Sequence, residues 1–293
     1  MALMSSKPRL NFKMGCAIWA YKSWVGNLYP AGSSSTQFLH LYSQRFQTVE
    51  GNATFYAVPT PDTVARWAKE TPKGFEFCPK LPRSITHNGT LFPHLEAAQQ
   101  FIALMQGLGD RLGPIFAQLP PTYAPQSWLD LEAFLSGLRE SGVRLALEVR
   151  HPQWFQPAMA DRLNTFLHTL GMGRVLLDTR PIYECEDDPQ LTAERRKPKL
   201  PLYPVATAPF TLIRYISHPN QDFNQRFMTD WVTHLQNWLQ QGDDIYLFVH
   251  CPVEVHSPQN ARYFQQLLMA SSLNIPPLPW DTLQQPPAQL HLF

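Results

Sequence analysis

In Thr48-Val49-Glu50-Gly51-Asn52-Ala53-Thr54-Phe55-Tyr56 polar side chains fall at alternate positions. Read as a β-strand, the stretch sends Thr48, Glu50, Asn52, Thr54 and Tyr56 to one face, because successive side chains point to opposite sides. That face is too polar for an ordinary packed sheet, so it is expected to border a pocket. Comparable runs recur on both sides of it: Lys13 to Ala20, Phe75 to Lys80, Ile115 to Leu119, Leu145 to Arg150, Val175 to Asp178, Phe210 to Tyr215 and Ile245 to His250. Between most of them apolar residues return at helical spacing, as in Leu95, Ala98, Ile102 and Met105, or Phe227, Trp231, Leu235 and Leu239. Eight short strands alternating with helices predict an α/β protein of the TIM-type (β/α)8 barrel class rather than an open doubly wound sheet. The first strand also lacks the GxGxxG turn of a dinucleotide fold.

A chain of 293 residues buries a substantial core, and barrels of this length are routinely single domains. The expected organisation is a lead-in over 1–12, one barrel domain over 13–275 and a Pro-rich tail over 276–293. One segment breaks the rhythm. Residues 183–204 run from Glu184, Glu186, Asp187 and Asp188 into Arg195, Arg196, Lys197 and Lys199 without an apolar stripe. Following a strand end, this excursion is expected to overhang the pocket as a loop or lid, the alternative being a solvated excursion that carries only surface charges.

Composition narrows the function classes. Lys plus Arg number 24 against 23 Asp plus Glu, a formal charge of +1, which gives no global steering toward nucleic acid or membranes. The start, with Lys7, Pro8 and Arg9, lacks the apolar core of a signal peptide, and no run approaches the roughly 20 apolar residues of a spanning helix, so a soluble cytoplasmic protein is expected. Cys16, Cys78, Cys185 and Cys251 are scattered without zinc-ribbon or CxxC spacing.

The chemistry concentrates at the strand ends. Glu50, Lys80, Gln118, Glu148, Arg150, Asp178, Arg214 and His250 all fall at or near the C-terminal ends of the proposed strands, the face on which barrel sites gather. Glu148 and Asp178, with Glu50 third, are the candidate acid/base carboxylates, and His87 and His250 the candidate proton shuttles. Lys80, Arg150 and Arg214 are the candidate anion binders, Arg as a planar fork and Lys as a movable point charge. Trp19, Asn52, Tyr56, Thr86 and Gln118 are further candidate ligand contacts. The carboxylates have a second reading, as braces that neutralise Lys80, Arg150 and Arg214 in the empty pocket. No cofactor is expected. A divalent metal held by Glu148, Asp178, His218 and His250 is the alternative, although no HExxH motif enforces it and the neighbouring Lys and Arg would repel a cation. No GxSxG setting supplies a hydrolase serine.

The ordered series Trp24-Val25-Gly26-Asn27-Leu28-Tyr29-Pro30, Phe46 through Tyr56, Trp67, and Thr71-Pro72-Lys73-Gly74-Phe75 resembles the YecE-like family, domain of unknown function family seventy-two. The likeness continues through Lys80, Ile85-Thr86-His87, Gln118-Leu119-Pro120-Pro121, Glu148-Val149-Arg150-His151, Trp154, Arg196-Lys197-Pro198 and Arg214. It covers nearly the whole chain. The resemblance implies a TIM-barrel fold and brings no activity with it. Two departures bear on pocket shape: Ala17-Ile18-Trp19 stands where the family resembles Ser-Gly-Trp, and His250-Cys251 where it resembles consecutive asparagines.

The leading expectation is an enzyme acting by acid/base chemistry, as hydrolase or isomerase, on a small anionic or polyhydroxylated, sugar-like molecule. A non-catalytic sensor or carrier would keep the cationic clamp and use the carboxylates only as braces. Nucleic-acid binding is the third class, and it would require a continuous exterior basic strip.

Overall fold

The β-branched and aromatic runs form eight strands: β1 (Phe12–Cys16), β2 (Thr48–Gly51), β3 (Glu76–Pro79), β4 (Ile115–Gln118), β5 (Leu145–Glu148), β6 (Gly173–Asp178), β7 (Phe210–Ile216) and β8 (Asp244–His250). They belong to a computed structural model that describes residues 11–191, 196–271, 273 and 275–283. The expected lead-in up to residue 10, Arg195 of the excursion and the tail beyond residue 283 lie outside the described residues. Helices follow most strands: α1 (Phe38–Ser43), α2 (Ala53–Tyr56), α3 (Pro61–Glu70), α4 (Arg83–Thr86), α5 (Leu95–Met105), α6 (Trp128–Leu138), α7 (Pro157–Leu170), α8 (Gln225–Gln241), α9 (Ser257–Ala270) and α10 (Pro279–Thr282). Local chemistry sets their ends. Thr60 caps α3 through its side chain with Pro61 at the first helical position, and Gly171 and Gly242 close α7 and α8 in left-handed conformation.

The stretch 48–56 departs from the expected strand. Extended structure stops at Gly51; Asn52 is already helical in φ/ψ and Ala53–Tyr56 form one turn. The Thr54 hydroxyl, 2.8 Å from the Gly51 carbonyl and 2.7 Å from that of Lys80, holds this turn against the next strand end. Thr48 and Glu50 keep their shared face, whereas Asn52 and Tyr56 reach the pocket from a turn.

Every ladder among the described strands is parallel. Six strands pair in the order β1-β8-β7-β6-β5-β4, and β2 pairs with β3 separately. The pair meets the larger sheet at both edges. On one side Gln47 N donates to Met14 O at 3.3 Å, and the Tyr42 hydroxyl accepts from Cys16 N and donates to Thr48 O. Gly15 is required there, because a Cβ would sit 1.9 Å from the Thr48 carbonyl oxygen. On the other side Gly113 N donates to Phe77 O at 2.7 Å and Leu81 N to Phe116 O at 2.9 Å. At the strand starts Arg144 joins Glu76 of β3 at 2.9 Å and Asp244 of β8 at 2.8 Å.

One apolar cluster, Cys78, Phe116, Ala146, Val175, Phe210, Leu212, Tyr246 and Phe248, packs between the strands. A larger one packs strands against helices. Two residues beyond members of the first cluster stand Lys80, Gln118, Glu148, Arg214 and His250, so the period-2 alternation lifts polar side chains directly above an apolar floor. Glu50 holds the same place two residues after Thr48, whose hydroxyl lies 3.7 Å from the Cys78 sulfur.

Among the described residues no helix is long and apolar enough to cross a membrane.

Candidate functional site

Arg214 organises the strand ends. From β7 its guanidinium takes both Glu50 oxygens, at 2.8 and 2.9 Å, and places its third donor on Glu148 at 2.6 Å. Glu148 also accepts from Arg150 Nε at 2.6 Å, and Arg150 Nη2 continues to Gln118 Oε1 at 2.6 Å. Lys80 Nζ donates to the same Gln118 oxygen at 2.7 Å, and His250 Nε2 lies 2.7 Å from Glu50 Oε2. Glu50, Glu148 and Arg214 are essentially inaccessible to solvent, which is tolerable only because each charge is paired and hydrogen-bonded.

The electrostatics separate these groups into two kinds. Burial alone would raise Glu50 and Glu148, but Arg214 with His250 holds Glu50 well below the carboxylate range, and Arg150 with Arg214 holds Glu148 at about 2. Both are therefore braces, ionised at neutral pH. Lys80 has no carboxylate within ion-pairing distance among the described residues. Its ammonium lies 3.9 Å from the centroid of the Phe55 ring, and burial, reinforced by Arg214, lowers it to about 7. The same causes bring the half-buried Lys197 to about 8. Burial holds His250 at about 4 despite Glu50, so it is a neutral imidazole at pH 7 and donates Nε2–H to the ionised carboxylate. Burial followed by Lys80 lowers His87 to about 4. Glu254, just after β8, is raised by burial to about 8, and its Oε1 has no hydrogen-bond partner among the described residues.

These side chains surround a cavity of about 340 Å³, to which Lys80, Arg83, Arg150, Arg196, Lys197 and Arg214 all contribute. Asn52, Tyr56, His87, Gln118, His250 and Glu254 complete much of its wall. Glu148 and Glu50 lie beneath it. A second cavity of about 250 Å³ adjoins it, lined by Trp19 and Ala20 and sharing Ala17, Ile18, Asn52 and Tyr56 with the first. Trp19 stands edge-on to Trp67 and Phe77. Thr86 is buried and bonds to Pro82 O and to His87 Nδ1, so it positions His87 rather than lining the cavity.

Asp178 is a correction. Val175 belongs to the inner cluster, so alternation turns Leu177 inward and Asp178 toward the helices. There it accepts from Arg180 Nε at 3.0 Å and Nη2 at 2.9 Å and from the Trp231 indole at 2.9 Å, outside the cavity. The four residues proposed for a metal are likewise not brought together. His218 instead lies with Cys185 and Asp187, whose ligand atoms all fall within 4.8 Å of one another, a cluster able to hold a metal ion. His218 Nε2 is 3.0 Å from Asp187 there, while Nδ1 accepts from Asn220 N.

Lys197, Arg83, Glu254 and Phe55 escaped the sequence-based set of site residues. Lys197 stood in the basic half of the 183–204 excursion, which the Tyr183 hydroxyl ties down at the Lys197 carbonyl and Gln190 at the Lys197 N–H. Its position after a strand end was the available signal.

Because Glu50 and Glu148 are ionised in the fold well below the value of about 4.5 at which an unfolded carboxylate protonates, their contribution to stability is complete above pH 4.5. It is expected to be lost progressively as pH falls from there, Glu148's share toward about 2. Urea midpoints measured at pH 5, 4 and 3 should fall progressively, and a Glu50→Gln/Glu148→Gln double variant should show a shallower fall over the same window.

A model of the family described as "Protein of unknown function DUF72" matches residues 13–283. The chain is 34% identical over 249 residues to UPF0759 protein YecE of Escherichia coli strain K12, covering 84% of this chain and 88% of that protein. It is 25% identical over 264 residues to UPF0759 protein YunF of Bacillus subtilis strain 168, covering 83% and 90%. Crystal structures of DUF72 family proteins from Enterococcus faecalis (TM-score 0.66, 18% identity, 91% of this chain and 99% of that one) and Thermotoga maritima (TM-score 0.63, 20% identity, 88% and 99%) share the fold. The chain belongs to the DUF72, YecE-like family.

Proposed function

We propose that the cavity above the strand ends binds a small oxyanion-bearing molecule and exchanges a proton with it through Lys80. The observation that carries this reading is the imbalance of charge. The two carboxylates beneath the cavity are already consumed by Arg214 and Arg150, so Lys80 and Lys197 are left as cationic donors without carboxylate partners among the described residues. An amine lowered to about 7 accepts and returns protons at neutral pH, which the braced carboxylates at the bottom of their range do not do. Glu254, raised to about 8, is the complementary acid. In this reading the β2-β3 pair closes the six-stranded sheet into an eight-stranded barrel, supported by the hydrogen bonds at both edges and by Arg144 across the strand starts. The excursion that carries Arg196 and Lys197 acts as the lid.

A second reading, a binding protein without chemistry, is favoured by one observation: Glu50 and Glu148 are fully occupied as braces. Both readings require anion binding. Calorimetric titration with inorganic sulfate, whose charge is constant over the range, tests it. Sulfate is expected to bind at pH 6 and at least about tenfold more weakly at pH 9, where Lys80 and Lys197 have lost their protons and Glu254 has become a carboxylate, since a charge-assisted hydrogen bond contributes about 1.5–3 kcal/mol. Absence of binding at pH 6 sinks the proposal.

A further inference from the structure

The cationic cavity has an apolar annex. The adjoining 250 Å³ space begins at the wall formed by Ala17, Ile18, Asn52 and Tyr56 and extends past Ala20 and Ala53 to Trp19. Its contributors are almost all alanine, isoleucine and aromatic side chains, in contrast to the six cations next door. Among the described residues no charged donor lines this annex: Glu50, the one ionisable group of that set reaching it besides Tyr56, is buried and committed to Arg214 and His250. The Trp19 ring is itself held by edge contacts with Trp67 and Phe77 at centroid distances of 5.3 and 6.0 Å, so it enters binding already immobilised. Tyr56, on α2, also lines the annex, its ring edge-on to Phe55 at a centroid distance of 5.2 Å. A polyhydroxylated group would lose its water in such a space and find few polar partners among the described residues beyond the Asn52 amide, whereas a flat apolar group gains burial and ring contact.

We infer that the ligand class is an organic anion with two parts: an oxyanion head held by Lys80, Arg150 and Lys197, and a flat apolar ring lying in the annex between Trp19 and Tyr56. This rests on the anion reading above and narrows it, displacing the sugar-like alternative. The shared residues fix the connection, since the head and the ring must be joined across Ala17 and Asn52.

The test uses one head group with varied tails. Methylphosphonate is compared with phenyl-, benzyl- and phenethylphosphonate by calorimetry on the full chain at pH 6. At least one aryl compound is expected to bind about tenfold or more tightly than methylphosphonate, in keeping with ring burial and stacking. Ala53→Phe, at an exposed position that lines only the annex, should erase that advantage and leave methylphosphonate affinity unchanged. Trp19→Ala provides an independent check, and a thermal melt of each variant separates lost binding from lost folding. Equal affinities along the series, with methylphosphonate bound, overturn the two-part ligand and leave the anion reading standing. So does an aryl advantage that survives Ala53→Phe in a folded variant. Failure of methylphosphonate itself to bind overturns both.

Discussion

Arg214→Met is expected to cost about 3–5 kcal/mol of folding stability, the range for removing one partner of a buried ion pair. The reason lies in what remains. Glu50 and Glu148 are both inaccessible to solvent, and Arg214 supplies three of the hydrogen bonds that hold them ionised. Without it Glu50 keeps only His250, itself neutral at pH 7, and Glu148 keeps only Arg150. One carboxylate would then take up a proton or draw in water. Urea unfolding at pH 7 checks the size of the loss, and a companion variant that also carries Glu50→Gln and Glu148→Gln should recover much of it by removing the stranded charges. A loss below about 1 kcal/mol for Arg214→Met alone would mean that the carboxylates are hydrated rather than braced. So costly a network above an apolar floor is hard to explain by stability, because apolar replacements of buried ion pairs often stabilise. It makes sense as scaffolding that fixes Arg150, Gln118 and, through Gln118, Lys80.

Lys80→Met is expected to have the opposite profile. Methionine follows the lysine stem closely and removes a desolvated cation that stands among Arg214 and Arg150 with only the Gln118 oxygen and the Phe55 ring as partners. Stability at pH 7 should stay level or rise by about 1 kcal/mol, as for other groups retained at functional sites against stability. Sulfate affinity at pH 6 should fall about 10–100-fold, the equivalent of one charge-assisted hydrogen bond. Calorimetry and urea unfolding on the same preparation check both halves. A destabilised variant that still binds sulfate would place Lys80 among the structural braces and remove it from the chemistry.

The identity of the strands was legible because each carries an apolar or β-branched run between turn residues, and the parity of β2, β4, β5, β7 and β8 could be counted from Glu50, Gln118, Glu148, Arg214 and His250. Parity also explains the error at Asp178. It stands at a strand end like the others, but an odd number of residues from Val175, and alternation alone would have sent it to the helix side. The extended reading of 48–56 failed for a reason that sequence does not carry: the Thr54 hydroxyl bonds to Lys80 O, 26 residues away, and turns the chain after Gly51. Which residues act as braces and which remain available was equally illegible. Glu148 and Lys80 read alike as charged residues at strand ends, and only the three-dimensional placement of Arg214 and Arg150 neutralises the first and leaves the second without a carboxylate among the described residues. Lys197 sits in a loop and Glu254 in a single 3-10 turn, both too short of regular structure for periodicity to locate a side chain.

The proposed proton exchange requires Lys80 to be an amine poised near neutrality. Its titration is best followed by carbon-13 NMR of the lysine side chains, with the Lys80 signal assigned by its disappearance in Lys80→Met. A midpoint of about 7 is expected, rising when sulfate is added because the bound anion favours the charged form. A midpoint near the ordinary lysine value of about 10.4, unmoved by sulfate, would contradict it.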